Sequence, residues 1–374
     1  MLIEEISLDR FRNYPSLHVE PVPGVNILVG DNAQGKSNLL EAIYMLATTK
    51  SFRTVRDTEV IQSGQSQSRA SATVRQSDGS SARIALTLGR SEQKHASINA
   101  ASTERAVDLL GVLRAVVFAA QDLRLITGEP SCRRRHMDLA LAQTSLPYLQ
   151  DLGAYKRILL QRNKLLKSLR ERWSANSGLD AWTSQLVRYG IGLLLHRRDF
   201  VQEMSELAGQ SHRELSDGAE DLSVHYHPNP SLQADDGPEL AKERYEEALQ
   251  RVAEEELRRG TTLAGPQRDD LRFAINGLEA RVYGSQGQQR TVVLSIKLAE
   301  LDYIEAVSGE EPVLLLDDVM SDLDDQRRRR LLRRLSGRCQ TFITCTNLRG
   351  FPDEILSQAG LFRVEAGRIE RFCL

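Results

Sequence analysis

Residues Gly30-Asp31-Asn32-Ala33-Gln34-Gly35-Lys36-Ser37 fill every required position of the pattern Gly-x4-Gly-Lys-Ser/Thr. In a loop between a strand and a helix, such glycines let backbone N–H groups close around an anion that also feels the positive end of the helix dipole. Lys36 then reaches the β/γ-phosphates and the Ser37 hydroxyl ligates Mg²⁺. A second chemical group lies far downstream, where four apolar residues, 313–316, run into Asp317-Asp318. Alone that pattern is weak, but beside a P-loop it reads as a Walker B segment. Asp317 is placed to hold Mg²⁺, and Asp318 to orient or deprotonate an attacking water. The two groups together imply binding of a nucleoside triphosphate.

Three further positions carry open alternatives. Arg12 and Tyr14, one strand before the P-loop, have planes that stack on an adenine ring, or else the aromatic covers the core from an edge strand. Gln121 follows the apolar run 115–118 and either senses the γ-phosphate or ligates Mg²⁺, or else is an ordinary loop residue. Ser285 opens a helix in the run Ser285-Gln286-Gly287-Gln288, where a serine is also a natural N-cap.

The elements that must position these groups follow from apolar periodicity. Val25–Val29 reads as a buried strand, and Leu39, Ile43 and Leu46 fall at helical spacing after the P-loop. Residues 1–24 give two short strands around Arg10–Tyr14, and 52–118 give an antiparallel sheet in which Ile84, Leu86 and Leu88 alternate. A hairpin, 271–275 and 278–283, is marked by Asn276-Gly277. It leads into the helix with Leu294, Leu298 and Leu301 on one face. Between about 129 and 260 lie long charged helical patterns, broken at 174–178 and 228–238. Arg133, Arg134 and Arg135 open this region. Lys156, Arg157, Arg162, Lys164, Lys167, Arg170 and Arg172 crowd one segment, opposed within it by Asp151 and Glu171 at its ends. That excess is either a solvated face or a set of phosphate contacts, for which Arg133, Arg134, Lys164 and Lys167 are the candidates. The helix 239–259 is mixed in sign, and His225 and His227 alternate on a strand with no partner at metal-ligand spacing.

At 374 residues the chain exceeds the usual size of one core, so two domains or one interrupted domain are expected. A net charge of −2 with 27% charged residues shows no global basic excess, so any nucleic-acid surface must be a local patch. The four cysteines, Cys132, Cys339, Cys345 and Cys373, are scattered, which argues against zinc and disulfides and for a reducing cytoplasm. No apolar run approaches ~18 residues, so neither export nor a membrane-spanning segment is expected.

The order of P-loop, Ser285-Gln-Gly-Gln, Asp317-Asp318 and Ser321-Asp322-Leu323-Asp324 resembles the ATP-binding-cassette ATPases. In that class the signature of one subunit closes on the γ-phosphate held by the other subunit's P-loop. The loop after the Walker B acids crosses the same interface. The resemblance implies Ser285 and Gln288 acting in trans, with Asp324 near the nucleotide. Within the class, Arg12-Asn13-Tyr14, the wording of the P-loop, Arg133-Arg134-Arg135 and Gly265-Pro266-Gln267-Arg268-Asp269-Asp270 are similar to the bacterial RecF family, over the whole length. What this implies is an α/β, cassette-type P-loop ATPase head, 1–128 and 262–374, with a mostly helical lobe, 129–261, inserted. It further implies a weak, DNA-stimulated ATPase, homodimeric on ATP and Mg²⁺. Such a dimer clamps gapped DNA or single/double-strand junctions and works with RecO and RecR to load RecA. Departures are Gln267 for a histidine, Ala120-Gln121 for proline-glutamate, Asp322 for a glutamate, and Thr344-Cys345-Thr346-Asn347 where many cassette ATPases carry a switch histidine. The alternative reading is a cassette head of a DNA-translocating or chromosome-organising complex. A motor of that kind needs coiled-coil arms far longer than this insert. A small-molecule kinase would leave Ser285–Gln288 and Ser321–Asp324 unexplained.

Overall fold

The computed structural model describes residues 1–374 apart from 92–93, 173–177, 322, 336 and 374, and for Arg172 its backbone alone. The expectations attached to the break at 174–177 and to Asp322 lie outside the described residues. The chain forms two compact units, Met1–Leu123 with Ser211–Ala219 and Val293–Leu374, and Arg124–Gln210 with Glu220–Val292.

The first unit contains two six-stranded sheets. One is antiparallel throughout, in the order Tyr14–Val19, Leu2–Phe11, Gln67–Arg75, Ser81–Gly89, His95–Ile98, Ala101–Ser102. The clean alternation read from sequence decides its faces, and Ile6, Leu8, Ile84, Leu86 and Leu88 all point into the core. The other runs Arg368–Phe372, Gly360–Glu365, Val25–Val29, Thr341–Cys345, Val313–Asp317, Ala115–Ala119, parallel except for the Arg368–Phe372 edge. Its central strands are buried on both faces, as a covered parallel sheet requires. Helix Lys36–Thr48 packs against strands of both sheets and buries every residue except Ser37 and Asn38.

Because its strands are parallel and paired in register, this sheet brings several chain segments out at one edge. Asp317 pairs with Ala119 on one side and Thr344 on the other, and Cys345 pairs with Val29. The P-loop, the paired acids and the turn holding Gln121 therefore leave the same end of the sheet, with Thr341–Cys345 between the P-loop strand and the strand of the acids, the place where open α/β sheets bind ligands.

The second unit holds helices Pro130–Thr144, Leu146–Arg172 and Pro238–Arg259, and most of helix Leu179–Ser216. A three-stranded antiparallel sheet, Leu278–Glu279, Asp270–Ile275 and Leu222–His227, completes it. Its interior includes a network of buried ions. The carboxylate of Asp269, fully buried, accepts from Tyr226 Oη at 2.5 Å, the Asn229 N–H at 2.8 Å and Arg197 Nη1 at 2.7 Å. Arg197 also pairs with Asp138 at 2.7 Å, and Arg162 pairs with Glu256 at 2.6 Å.

The unit boundaries fall elsewhere than at 129 and 262. Residues 262–292 group with the helices, because strand Asp270–Ile275 pairs with Leu222–His227 and Asp269 is the centre of the polar core. The second hairpin strand is also shorter than the expected 278–283. It ends at Glu279, and Ala280–Tyr283 form a helical turn.

A helix buried on all sides cannot leave its one acid unpaired. Glu41, 0% exposed, receives Arg12 Nε at 2.9 Å and Nη2 at 2.7 Å, and Ser51 Oγ at 2.5 Å. We predict that Glu41→Ala, which strands the half-buried Arg12 guanidinium, destabilises the protein by about 3 kcal/mol. Urea unfolding followed by tryptophan fluorescence checks this, and an unchanged midpoint would refute it.

Candidate nucleotide site and nucleic-acid surface

The P-loop is fixed from outside. The Tyr14 hydroxyl donates to the Gly35 carbonyl at 2.9 Å, Asn13 Nδ2 donates to the Gln34 carbonyl at 2.8 Å, and the Ala366 N–H donates to Gln34 Oε1 at 2.7 Å. Glycine is required at both ends. A Cβ on Gly30 would lie 2.2 Å from the Val364 carbonyl oxygen, and Gly35 has φ 122° with Asn13 and Tyr14 crowding it. Lys36, buried, donates to the carbonyls of Gly30 at 2.5 Å and Asp31 at 2.8 Å. Burial lowers its pKa, and the nearby acids Asp318, Asp317 and Asp31 push the other way. Ala33 holds a left-handed φ of 66° in the turn of the loop, and Asn32 is exposed there.

The acids meet this loop at one atom. Ser37 Oγ donates to Asp317 Oδ1 at 2.6 Å, and Thr344 Oγ1 donates to the same oxygen at 3.0 Å. Thr344 Oγ1 also accepts the Asp318 N–H at 2.8 Å, which holds that residue at a φ of 57° with its carboxylate exposed. Thr344 is a positioning residue that sequence reasoning missed. The available signal was a hydroxyl next to the last residue of strand Thr341–Cys345, and its use depends on the register with Asp317. Gln121 leaves the neighbouring strand end and is held by its amide, Nε2 to the Phe52 carbonyl at 2.7 Å. Cys345, beside the loop, is pushed up to about 11 by burial and is a poor thiolate.

One expectation at this site needs correction, and one residue has a further local role. Tyr14 is fully buried, with its ring in the core cluster and its hydroxyl on the loop, so it braces the P-loop and cannot stack on a base. Asp324 is the N-cap of helix Asp325–Leu335, accepting the N–H groups of Gln326 at 3.0 Å and Arg327 at 2.8 Å. Arg12 is held edge-on by Glu41 and lines a polar cleft of ≈590 Å³ together with Asn13, Asn38 and Glu59.

In the second unit, Ser285 and Gln288 form a capping box. Gln288 N–H donates to Ser285 Oγ at 3.3 Å and the Ser285 N–H donates to Gln288 Oε1 at 2.8 Å. Gln288 Nε2 is committed to Glu220 at 2.9 Å, so its amide is bound at both ends, which departs from a catalytic assignment. Ser285, Gln286 and Gly287 are exposed at the start of the helix. Among the basic candidates, Arg133 is wrong as a phosphate contact. It is 4% exposed and spent on Asp270 at 2.6 and 3.1 Å and on the carbonyls of Leu125 and Gly128. Arg162 is likewise internal, and Lys156 is paired with Asp138 at 3.1 Å, by acids from other helices that spacing within one segment does not reveal. Lys164 and Lys167 are exposed, and Arg134 is half-buried.

Known proteins share this arrangement. Residues 2–369 match the family model described as the RecF/RecN/SMC N terminal domain. The chain is 40% identical to the DNA replication and repair protein RecF of Bacillus subtilis, over 99% of this chain and 100% of that protein. It is 42% identical to that of Heliobacterium modesticaldum, over 99% of each. A solved structure of the recombination mediator protein RecF-ATP in the RecFOR pathway superposes with a TM-score of 0.92 at 32% identity, covering 99% of this chain and 97% of that one. The Smc head domain of Pyrococcus furiosus, TM-score 0.57 at 15% identity, shares the fold. With an ATPase-head fold and a P-loop, acids and turn at one end of a parallel sheet, the chain belongs to the RecF family.

Proposed function

We propose that this chain is an ATP-dependent DNA-binding ATPase of recombinational repair. In this reading it dimerises on ATP, holds gapped DNA or single/double-strand junctions, and releases them on slow hydrolysis. It acts with RecO and RecR to help load RecA. The observation that carries the nucleotide part is the 2.6 Å bond between Ser37 and Asp317, residues 280 positions apart in the chain. A hydroxyl and one carboxylate are hard oxygen donors of the kind that would hold Mg²⁺. No cluster of three acidic, histidine or cysteine ligands occurs among the described residues, as such a site requires none. Held by Ser37 and Asp317, Mg²⁺ would neutralise the charge that builds up on the phosphates.

The protein groups do the remaining work. The N–H groups of the loop and the Lys36 ammonium exchange carbonyl partners for phosphate oxygens, and the base lies against Arg12. Gln121 keeps its amide oxygen for the Mg²⁺ side of the site. Asp318 takes a proton from water as the water oxygen bonds to the γ-phosphorus. The bond to the β-phosphate oxygen breaks, giving ADP and phosphate. Ser285 caps exposed helix amides that can receive an anion, and in a dimer they close on the partner's γ-phosphate. Only the triphosphate presents that charge, so ATP favours the dimer by differential affinity.

Sedimentation with and without ATP and gapped DNA tests the whole reading, since a protein that stays monomeric and unbound throughout contradicts it. Lys36→Ala should lose ATP binding, measured by titration calorimetry, through loss of a charge-assisted donor. Asp318→Asn should bind ATP normally while hydrolysis falls roughly 10²–10⁴-fold, the usual weight of a general base. A parental rate in that variant would place the base elsewhere. Ser285→Arg should bind ATP as a monomer and neither dimerise nor hydrolyse. Mixing it with Lys36→Ala should restore part of the ATPase activity, because one mixed dimer then joins an intact loop to an intact signature. A Ser285→Arg protein that dimerises and turns over normally would reduce Ser285 to a helix cap.

A further inference from the structure

One cleft of the second unit has a chemistry that the nucleotide site does not use. It measures ≈540 Å³ and lies between the start of helix Pro130–Thr144, helix Leu146–Arg172 and residues 261–268. The hydrogen-bond inventory of its walls is one-sided. Asn163 turns its oxygen inward, accepting from Thr262 N and Thr262 Oγ1, both at 2.7 Å. That fixes the amide orientation, and Asn163 Nδ2 has no partner among the described residues. Gln267 Oε1 is taken by the Tyr155 hydroxyl, and the Asp269 carbonyl by Arg134 Nη1 at 2.7 Å. Arg268, exposed, gives Nη2 to the Thr262 carbonyl at 3.3 Å. The other N–H groups of Arg134 and Arg268 have no partner among the described residues.

Acceptors are thus consumed inside the unit while donors from two guanidinium groups and an amide are left over. The lone carboxylate of the lining is Glu129, exposed at the rim. Arginine forks with free N–H pairs match phosphate oxygens bidentately. The volume far exceeds a single phosphate ion and suits a phosphodiester with its sugars. Lys164 and Lys167, exposed and unpartnered among the described residues, follow Asn163 on the same helix outside the lining of the cleft.

We propose that this cleft holds a backbone phosphate of nucleic acid, with Arg268 and Arg134 as its cationic contacts and Asn163 as a neutral donor. The proposal rests on the DNA-binding reading above and names Arg268, outside the arginine and lysine runs, as a contact.

Binding of a labelled gapped duplex in the presence of ATP, followed by fluorescence anisotropy over a salt series, tests it. Arg268→Glu should weaken binding about tenfold or more at ~0.1 M salt whatever the sequence, and flatten the slope of log affinity against log salt by about one unit. Arg268→Lys should keep most of the affinity and the slope. An unchanged thermal midpoint in both variants excludes a folding defect, since Arg268 makes one long hydrogen bond. If Arg268→Glu binds like the parent while Lys164→Glu/Lys167→Glu is weakened, DNA binding stands and the cleft is overturned. If Arg268→Glu binds DNA like the parent but loses a thermal shift produced by inorganic phosphate, the cleft takes a free anion and the nucleic-acid assignment is overturned. A parental protein that binds no DNA at any salt would overturn the DNA reading itself and the cleft with it.

Discussion

The constraint on which the nucleotide site depends is the burial of helix Lys36–Thr48. A loop that encloses phosphates needs a helix start that cannot move, and this helix is fixed by apolar contact with both sheets. Leu39, Leu40, Ile43 and Leu46 are 0% exposed, so the helix has no free face on which to slide. The one acid in its interior, Glu41, then demands Arg12, Ser51 and Arg53 as partners. Those partners tie the strand turn before the P-loop and the segment after the helix to the same point.

Parallel strands in register provide the second half of the site. Had Val313–Asp317 slipped by one residue against Thr341–Cys345, Asp317 would change face and lose both Ser37 and Thr344. The edge of the sheet therefore works as a ruler that places a hydroxyl, a carboxylate and a base-like acid side by side. Thr344 adds precision, because one hydroxyl holds the side chain of one acid and the backbone of the next.

The second unit adds a network of buried ions to its apolar core, with Asp269, Arg197 and Asp138 in one group and Arg162 and Glu256 in another. Buried pairs add little net stability over apolar packing, but a missing partner costs several kcal/mol, so they specify arrangement strongly. This use of charge explains why a segment rich in Lys and Arg exposes fewer cations than it contains.

The sequence by itself determined the class of fold and the nucleotide chemistry. The P-loop, the apolar run ending in two acids, the alternating strands and the Asn-Gly turn are local patterns, each set by residues within a few positions of one another. The resemblance to cassette ATPases rested on their order along the chain. What local patterns could not decide was which charges are buried and which partner each has, since Arg133 finds Asp270 and Arg162 finds Glu256 across about a hundred residues. For the same reason the burial of Tyr14, the cap made by Asp324, the grouping of residues 262–292 with the helices and the role of Thr344 came from tertiary structure alone. Hydrogen bonds and ion pairs are satisfied in space, and a side chain of given type serves core, cap or ligand according to what long-range packing sets beside it.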